Sequence, residues 1–145
     1  MGRVSRFEIT LDLAQDMMSG ARAAATTAGI AVSIAVVDAG GHLVGFARMD
    51  GAEIAGPILA RDKAFTAVAH RIATAELTAL VAPGGELAGM NTADTGRYIA
   101  FPGGLPCWDG DRVIGAVGVS GGSAEQDQFC AQAGLSVYLR AQHAS

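Results

Sequence analysis

The chain has 145 residues, half of them apolar, and a net charge of −4. That length makes one domain, residues 1–145, able to bury roughly 70% of its unfolded surface. The acidic balance and the absence of a Lys/Arg cluster argue against nucleic acid and anionic membrane surfaces as partners, and the longest charge-free run, Ala23–Val37, falls short of the ~20 residues that a membrane helix needs.

In chain order, Thr10 can cap a helix over Leu11–Ala28, whose apolar positions recur at three- and four-residue steps, and Gly29 stops it. Strands near Ala31–Asp38 and His42–Met49 flank a Gly40-Gly41 turn and form an antiparallel hairpin. A second helix is expected over Ile54–Arg71, with Ala60, Ala64 and Ala67 as a small-residue stripe. Thr74–Val81 is one more helical piece, broken by Pro83-Gly84-Gly85. Residues Glu86–Arg97 read as loop with a short helical turn.

Tyr98–Phe101, Leu105–Trp108 and Arg112–Val119 then read as strands, with an Asp109-Gly110 turn between the last two. Pro106 puts its strand at an edge or a cavity wall, because proline cannot donate to a ladder. Ser123 and Gln126 form a capping box that opens a helix to about Gln142. Strands and helices do not alternate singly. The expectation is therefore an α+β domain, an antiparallel sheet of about five strands with the first and last helices against it.

The polar residues of the hairpin are not scattered. Asp38 ends its first strand; Arg48, Met49 and Asp50 end its second. Downstream, Gly118–Gly122 joins a buried strand to a helix start, where free N–H groups and the helix dipole favour an anion. Gly103-Gly104 is a second glycine-rich strand entry. Lys63 lies on an Ala-rich helix, its stem along apolar surface and its amine at the rim. Arg48 and Lys63 near two bare backbone turns can hold a carboxylate; the alternative is that they pair with Asp38, Asp50 or Asp62 and only brace the hairpin.

Other chemistry finds less support. His42, His70 and His143 lack metal-site spacing, so no metal centre is expected. No nucleophile elbow is present. Cys107 and Cys130 lack CxxC spacing and read as free thiols. Asp38 and Asp50 are the candidate general bases. Glu125 and Asp127 fall in a first helical turn, where negative charge is favourable anyway.

These stretches carry a resemblance. SIAVVDAGGHLVGFARMDG, the downstream KAFTA, GGLP and IGAVGVSG are similar, in order and over nearly the whole chain, to the GlcG/HbpS family. The resemblance implies a profilin-like sheet and a link to heme or corrinoid handling or to glycolate-utilisation loci. It strengthens a ligand site formed by Arg48, Met49, Asp50, Lys63, Gly103, Gly104, Ser120, Gly121 and Gly122. Heme-binding relatives carry a histidine on the first helix; here that helix has none, and Met17 and Met18 are its thioethers.

The leading expectation is a protein that binds a small anionic molecule, with heme or a corrinoid as the implied ligand. An isomerase or lyase acting on a small oxygenated carboxylate is the enzyme alternative, and an accessory oligomeric pathway protein is the third. Surplus apolar content, mostly Ala, Val and Gly, favours a homo-oligomer. The first residues hold no apolar segment of signal-peptide length, which points to the cytoplasm.

Overall fold

The computed structural model describes residues 2–144. Helix α1 (Leu11–Thr27) starts where the Thr10 hydroxyl accepts the Leu13 N–H and ends at Gly29, whose φ of +71° lets Ile30 N–H close back on Ala25. Strands β1 (Ser33–Asp38) and β2 (Leu43–Arg48) form the first hairpin, and α2 (Gly56–His70) and α3 (Thr74–Val81) follow. A 3-10 turn at Met90–Thr92 and α4 (Ala93–Gly96), one distorted turn, cross to β3 (Gly104–Asp109) and β4 (Arg112–Ser120). The long α5 (Ala124–Ala144) closes the chain, with Ser123 and Gln126 exchanging the two bonds of a capping box.

The sheet is antiparallel throughout, in the order β2-β1-β4-β3. It has four strands rather than about five. Tyr98–Phe101, expected as a strand, lies instead across α2: Ile99 N–H donates to the Thr66 hydroxyl, and the Thr78 hydroxyl donates to Ala100 C=O. Side chains on α2 and α3 thus replace a strand partner for this segment. Pro106 does sit on an edge strand, β3.

Residue alternation assigns the two faces. Ile34, Val36, Val117 and Val119 point to α1 and α5, and with Met17, Ala21, Cys130 and Tyr138 they form the larger core. Ala35, Val37 and Ala116 point the other way, to Ala60, Ala64 and Ala67 of α2. The small-residue stripe of α2 therefore meets small residues on the sheet, and the helix approaches closely. Across β1, β4 and β3 the row Ala35–Gly118–Gly104 is in register. A methyl at Gly118 would stand 2.0 Å from the Ala60 carbonyl oxygen. Much of the Ala and Gly content is used here, inside the chain.

Candidate functional site

The residues singled out in the sequence fall into two groups. The first surrounds Lys63, the chain's single lysine. It lies on the inner side of α2, 1% exposed, rather than at a rim. Its ammonium donates to Val119 C=O at 2.9 Å and to Asp127 Oδ2 at 3.0 Å, and faces the Phe101 ring 5.1 Å away. Gly103, at φ +126°, is what lets the amine arrive: a Cβ there would be 2.9 Å from Nζ and 2.5 Å from Val119 O.

The backbone donors expected to be free for a ligand have partners. Gly122 N–H donates to Asp127 Oδ1 at 2.8 Å, Gly103 N–H to Gln128 Oε1 at 3.2 Å, and Gly104 N–H to the Thr74 hydroxyl at 2.9 Å. Ser120, the last residue of β4, is buried, and Gly121 follows it at φ +147°. Burial pushes the Lys63 amine below the usual lysine range and the Asp127 carboxyl above the usual carboxylate range, each opposed by the partner's charge. Asp127, on α5, is the member of this cluster whose charge its place in a first helical turn already accounts for. Opposite Ser120 in register is Ser33, whose buried hydroxyl has no hydrogen-bond partner among the described residues.

The second group holds Arg48, Met49 and Asp50, and it is open. Helix α1 and the edge strand β2 leave a groove between them. Its helix wall is Gln15, Met18, Ser19, Arg22 and Thr26; Ala47, Arg48, Met49 and Asp50 form the strand wall. Two concavities of about 320 and 330 Å³ share Arg22 and Ala47 and so run together. Arg48 donates to Ala52 C=O, which ties down the Asp50-Gly51 turn and leaves most of its five N–H groups free. Neither Arg22 nor Arg48 forms an ion pair among the described residues. Arg22 was not singled out in the sequence. Only the packing of α1 beside β2 brings it to Arg48.

Asp38, a candidate base, is committed to the hairpin turn. Its Oδ1 accepts Gly40 N–H and His42 N–H, both at 2.9 Å, and lies 3.2 Å from the His42 ring. Asp50 is exposed at the groove rim. Burial pushes the Cys107 thiol up to about 12, and Cys130 also rises, so neither is a nucleophilic thiolate at neutral pH. No group of three or more His, Cys, Asp or Glu among the described residues is placed to hold a metal ion. No helix among them is long and apolar enough to cross a membrane.

A four-stranded antiparallel sheet, helices on both faces and a cationic groove along one edge define a small α+β domain with an open ligand-sized concavity. The chain belongs to the HbpS-like family: residues 9–136 match the family described as "Haem degrading protein HbpS-like". It is similar to the Klebsiella pneumoniae protein ORFY, with a TM-score of 0.91 and 39% identity over 96% of this chain and 97% of that one. The structure of a PduOC:heme complex matches at a TM-score of 0.87 and 34% identity, over 90% of this chain and 94% of that one. The corrinoid adenosyltransferase PduO of Citrobacter freundii is 39% identical over 107 residues, which is 74% of this chain but 32% of PduO. The chain therefore spans about a third of that enzyme.

Proposed function

We propose that this protein binds a small, flat, anionic molecule in the α1–β2 groove, and that the ligand is heme. One observation carries the reading: Arg22 and Arg48 line one open groove, without ion-pair partners among the described residues, beside the apolar surface of Met18, Ala47 and Met49. Two guanidiniums match two propionates, and the apolar surface matches a ring face. The PduOC:heme complex, at 34% identity, supports that choice. A corrinoid, whose rim carries amides in place of free carboxylates, gains less from two cations.

The residues present fit the propionates and the ring face, and they supply no imidazole. His42 lies at the hairpin turn, His70 at the end of α2 against Tyr98, and His143 at the end of α5. When bound, heme would supply the iron and the visible absorption; Arg22 and Arg48 would orient it. Lys63, Gly103, Gly104, Ser120, Gly121 and Gly122 serve in this reading as the brace between α2, α5 and the strand ends. The groove has one carboxylate, Asp50, and it is exposed, so the geometry favours binding over proton transfer.

Hemin titration followed at the Soret band tests the reading. Each guanidinium–carboxylate contact in a half-covered groove contributes about 1–2 kcal/mol. Arg22→Ala and Arg48→Ala should each weaken binding about tenfold, and the double variant about a hundredfold. Unchanged affinity in a folded double variant overturns it.

The reading includes a homo-oligomer in the cytoplasm, where Cys107 and Cys130 stay reduced. Leu43 and Phe46 of β2 and Ile58 of α2 remain exposed, with Ile54 94% exposed beside them. With Pro57, the first three line an apolar concavity of about 190 Å³ on the face of β2 away from the groove. Such a contiguous patch favours a second copy. Light scattering at micromolar concentration should give more than one chain mass; a single-chain mass alone refutes the assembly.

A further inference from the structure

A second cleft lies at the opposite end of the sheet from Arg48 and Ser120. It opens between the N-terminal segment, residues 4–7, and the turns that follow β1 and β3. The sheet itself puts that segment there. Cys107 faces Gly115 and Trp108 faces Val113, so Ile114 is an extra residue of β4 with no opposite number on β3. Its carbonyl accepts Ile9 N–H at 3.3 Å. Gly115 is bare where Ile9 enters, since a Cβ there would collide with Ile9 Cγ1. The chain before Ile9 is thereby led across the start of β4, where Arg112 donates to Ser5 C=O at 3.0 Å.

Two concavities of about 280 and 270 Å³ share Arg6, Phe7, Asp111, Arg112 and Ile114, and so form one cleft. Its two shared cations are engaged. Arg6 stands 3.6 Å from Glu8, and Arg112 is held by the Ser5 carbonyl. The charged residues that belong to one concavity alone differ in sign: Asp109 lines only the first and Arg71 only the second. Asp109, Asp111 and Arg71 form no ion pair among the described residues, with one another or with any other group. Unmatched charge is thus negative at one end of the cleft and positive at the other. Phe7, 75% exposed, lines both concavities with Ile114 and gives the cleft its apolar surface.

Arg71 occupies its place against local preference. It caps α2 in the left-handed region, at φ +54° and ψ +48°, where glycine is the usual residue because a Cβ is disfavoured. The bonds that close the helix there run from Arg71 N–H to Val68 C=O and from Ile72 N–H to Ala67 C=O. They use no side-chain atom of Arg71, so the end of α2 does not account for an arginine at this position.

We infer that this cleft binds a small zwitterion with an apolar body, its ammonium at Asp109 and Asp111 and its carboxylate at Arg71. Charge-assisted hydrogen bonds fix the two ends, and the alkyl groups between them cover Phe7 and Ile114. A plain anion meets the two carboxylates, and a plain cation meets the guanidinium. Only a molecule that carries both charges satisfies both ends. ω-Amino acids and short apolar peptides share that chemistry. The cleft is separate from the α1–β2 groove, so the inference does not depend on heme.

Isothermal titration calorimetry on the full chain tests this. The zwitterionic probes are 6-aminohexanoate and the dipeptide leucyl-alanine; hexanoate and hexylamine carry one charge each. At least one zwitterion should bind about tenfold or more tighter than both single-charged probes, and which one does so separates ω-amino acids from peptides. Arg71→Gly should weaken that binding at least about tenfold while melting no lower than wild type, because glycine relieves the left-handed backbone. A folding defect cannot imitate that pair of results. Asp109→Asn combined with Asp111→Asn should weaken the zwitterion by a similar factor and leave hexanoate no weaker than before. Hexanoate binding as tightly as the better zwitterion, no measurable heat from either zwitterion at millimolar concentration, or unchanged affinity in Arg71→Gly overturns the inference.

Discussion

Gly118→Ala is expected to destabilise the protein by at least about 3 kcal/mol, a large part of a domain's marginal stability. The added methyl would lie 2.0 Å from the Ala60 carbonyl oxygen and 2.6 Å from the Ala64 nitrogen. Both are helix backbone atoms, so no side-chain rotation relieves the clash. Helix α2 would have to lift off the sheet, and the Ala35, Ala116 and Ala67 contacts would loosen with it. A urea midpoint close to wild type for Gly118→Ala would show that α2 rides more loosely than this packing implies. Gly110→Ala is the natural comparison, since nothing stands within 4 Å of the added carbon there. Its φ of +62° still imposes a local strain of about 1 kcal/mol.

The second large effect is at the buried ion pair. Asp127→Ala should cost about 3–5 kcal/mol, because it leaves the Lys63 ammonium buried without its hydrogen-bonded carboxylate, with Val119 C=O, the Phe101 ring and the field of Glu53 remaining. It also frees Gly122 N–H, at the entry to α5. Lys63→Met alone leaves the Asp127 carboxylate uncompensated and should cost a similar amount. Replacing both, Lys63→Met with Asp127→Leu, should cost far less than the sum, since burial already opposes charge on each partner. Chemical denaturation of the three variants gives the coupling directly. Additive losses would mean that the two groups act independently and that the pair is not the unit holding α2 to α5.

Legibility in the sequence followed the range of the interactions. Thr10, Gly29 and the Ser123–Gln126 box mark helix ends by bonds spanning a few residues, and the helices begin and end within a few residues of those marks. Thr74–Val81 appears with the expected ends. Tyr98–Phe101 has a strand-like composition, yet its backbone bonds go to Thr66 and Thr78, which no local pattern announces.

The candidate site divides in the same way. Arg48, Met49 and Asp50 are contiguous, and they stay together at the groove. Lys63 and Asp127 are 64 positions apart, and Asp127 was masked by a good local reason to be at a helix start. One signal did exist: a single lysine among alanines, on a helix whose Ala60, Ala64 and Ala67 mark a buried face, needs a carboxylate somewhere. Arg22 had no such signal. It sits on an exposed helix face, and only the tertiary placement of α1 against β2 brings it to the same groove as Arg48.

The burial of Lys63 has a consequence for how the molecule responds to reagents. Since the chain has no other lysine, its native surface offers no side-chain amine to acylating or cross-linking agents. Lysine-directed immobilisation would therefore either fail or select unfolded molecules. Conversely, acylation at Lys63 becomes a clock for opening. Its rate, followed by mass spectrometry, measures how often α2 parts from the glycine-lined strand ends, in a protein that needs no probe added to it.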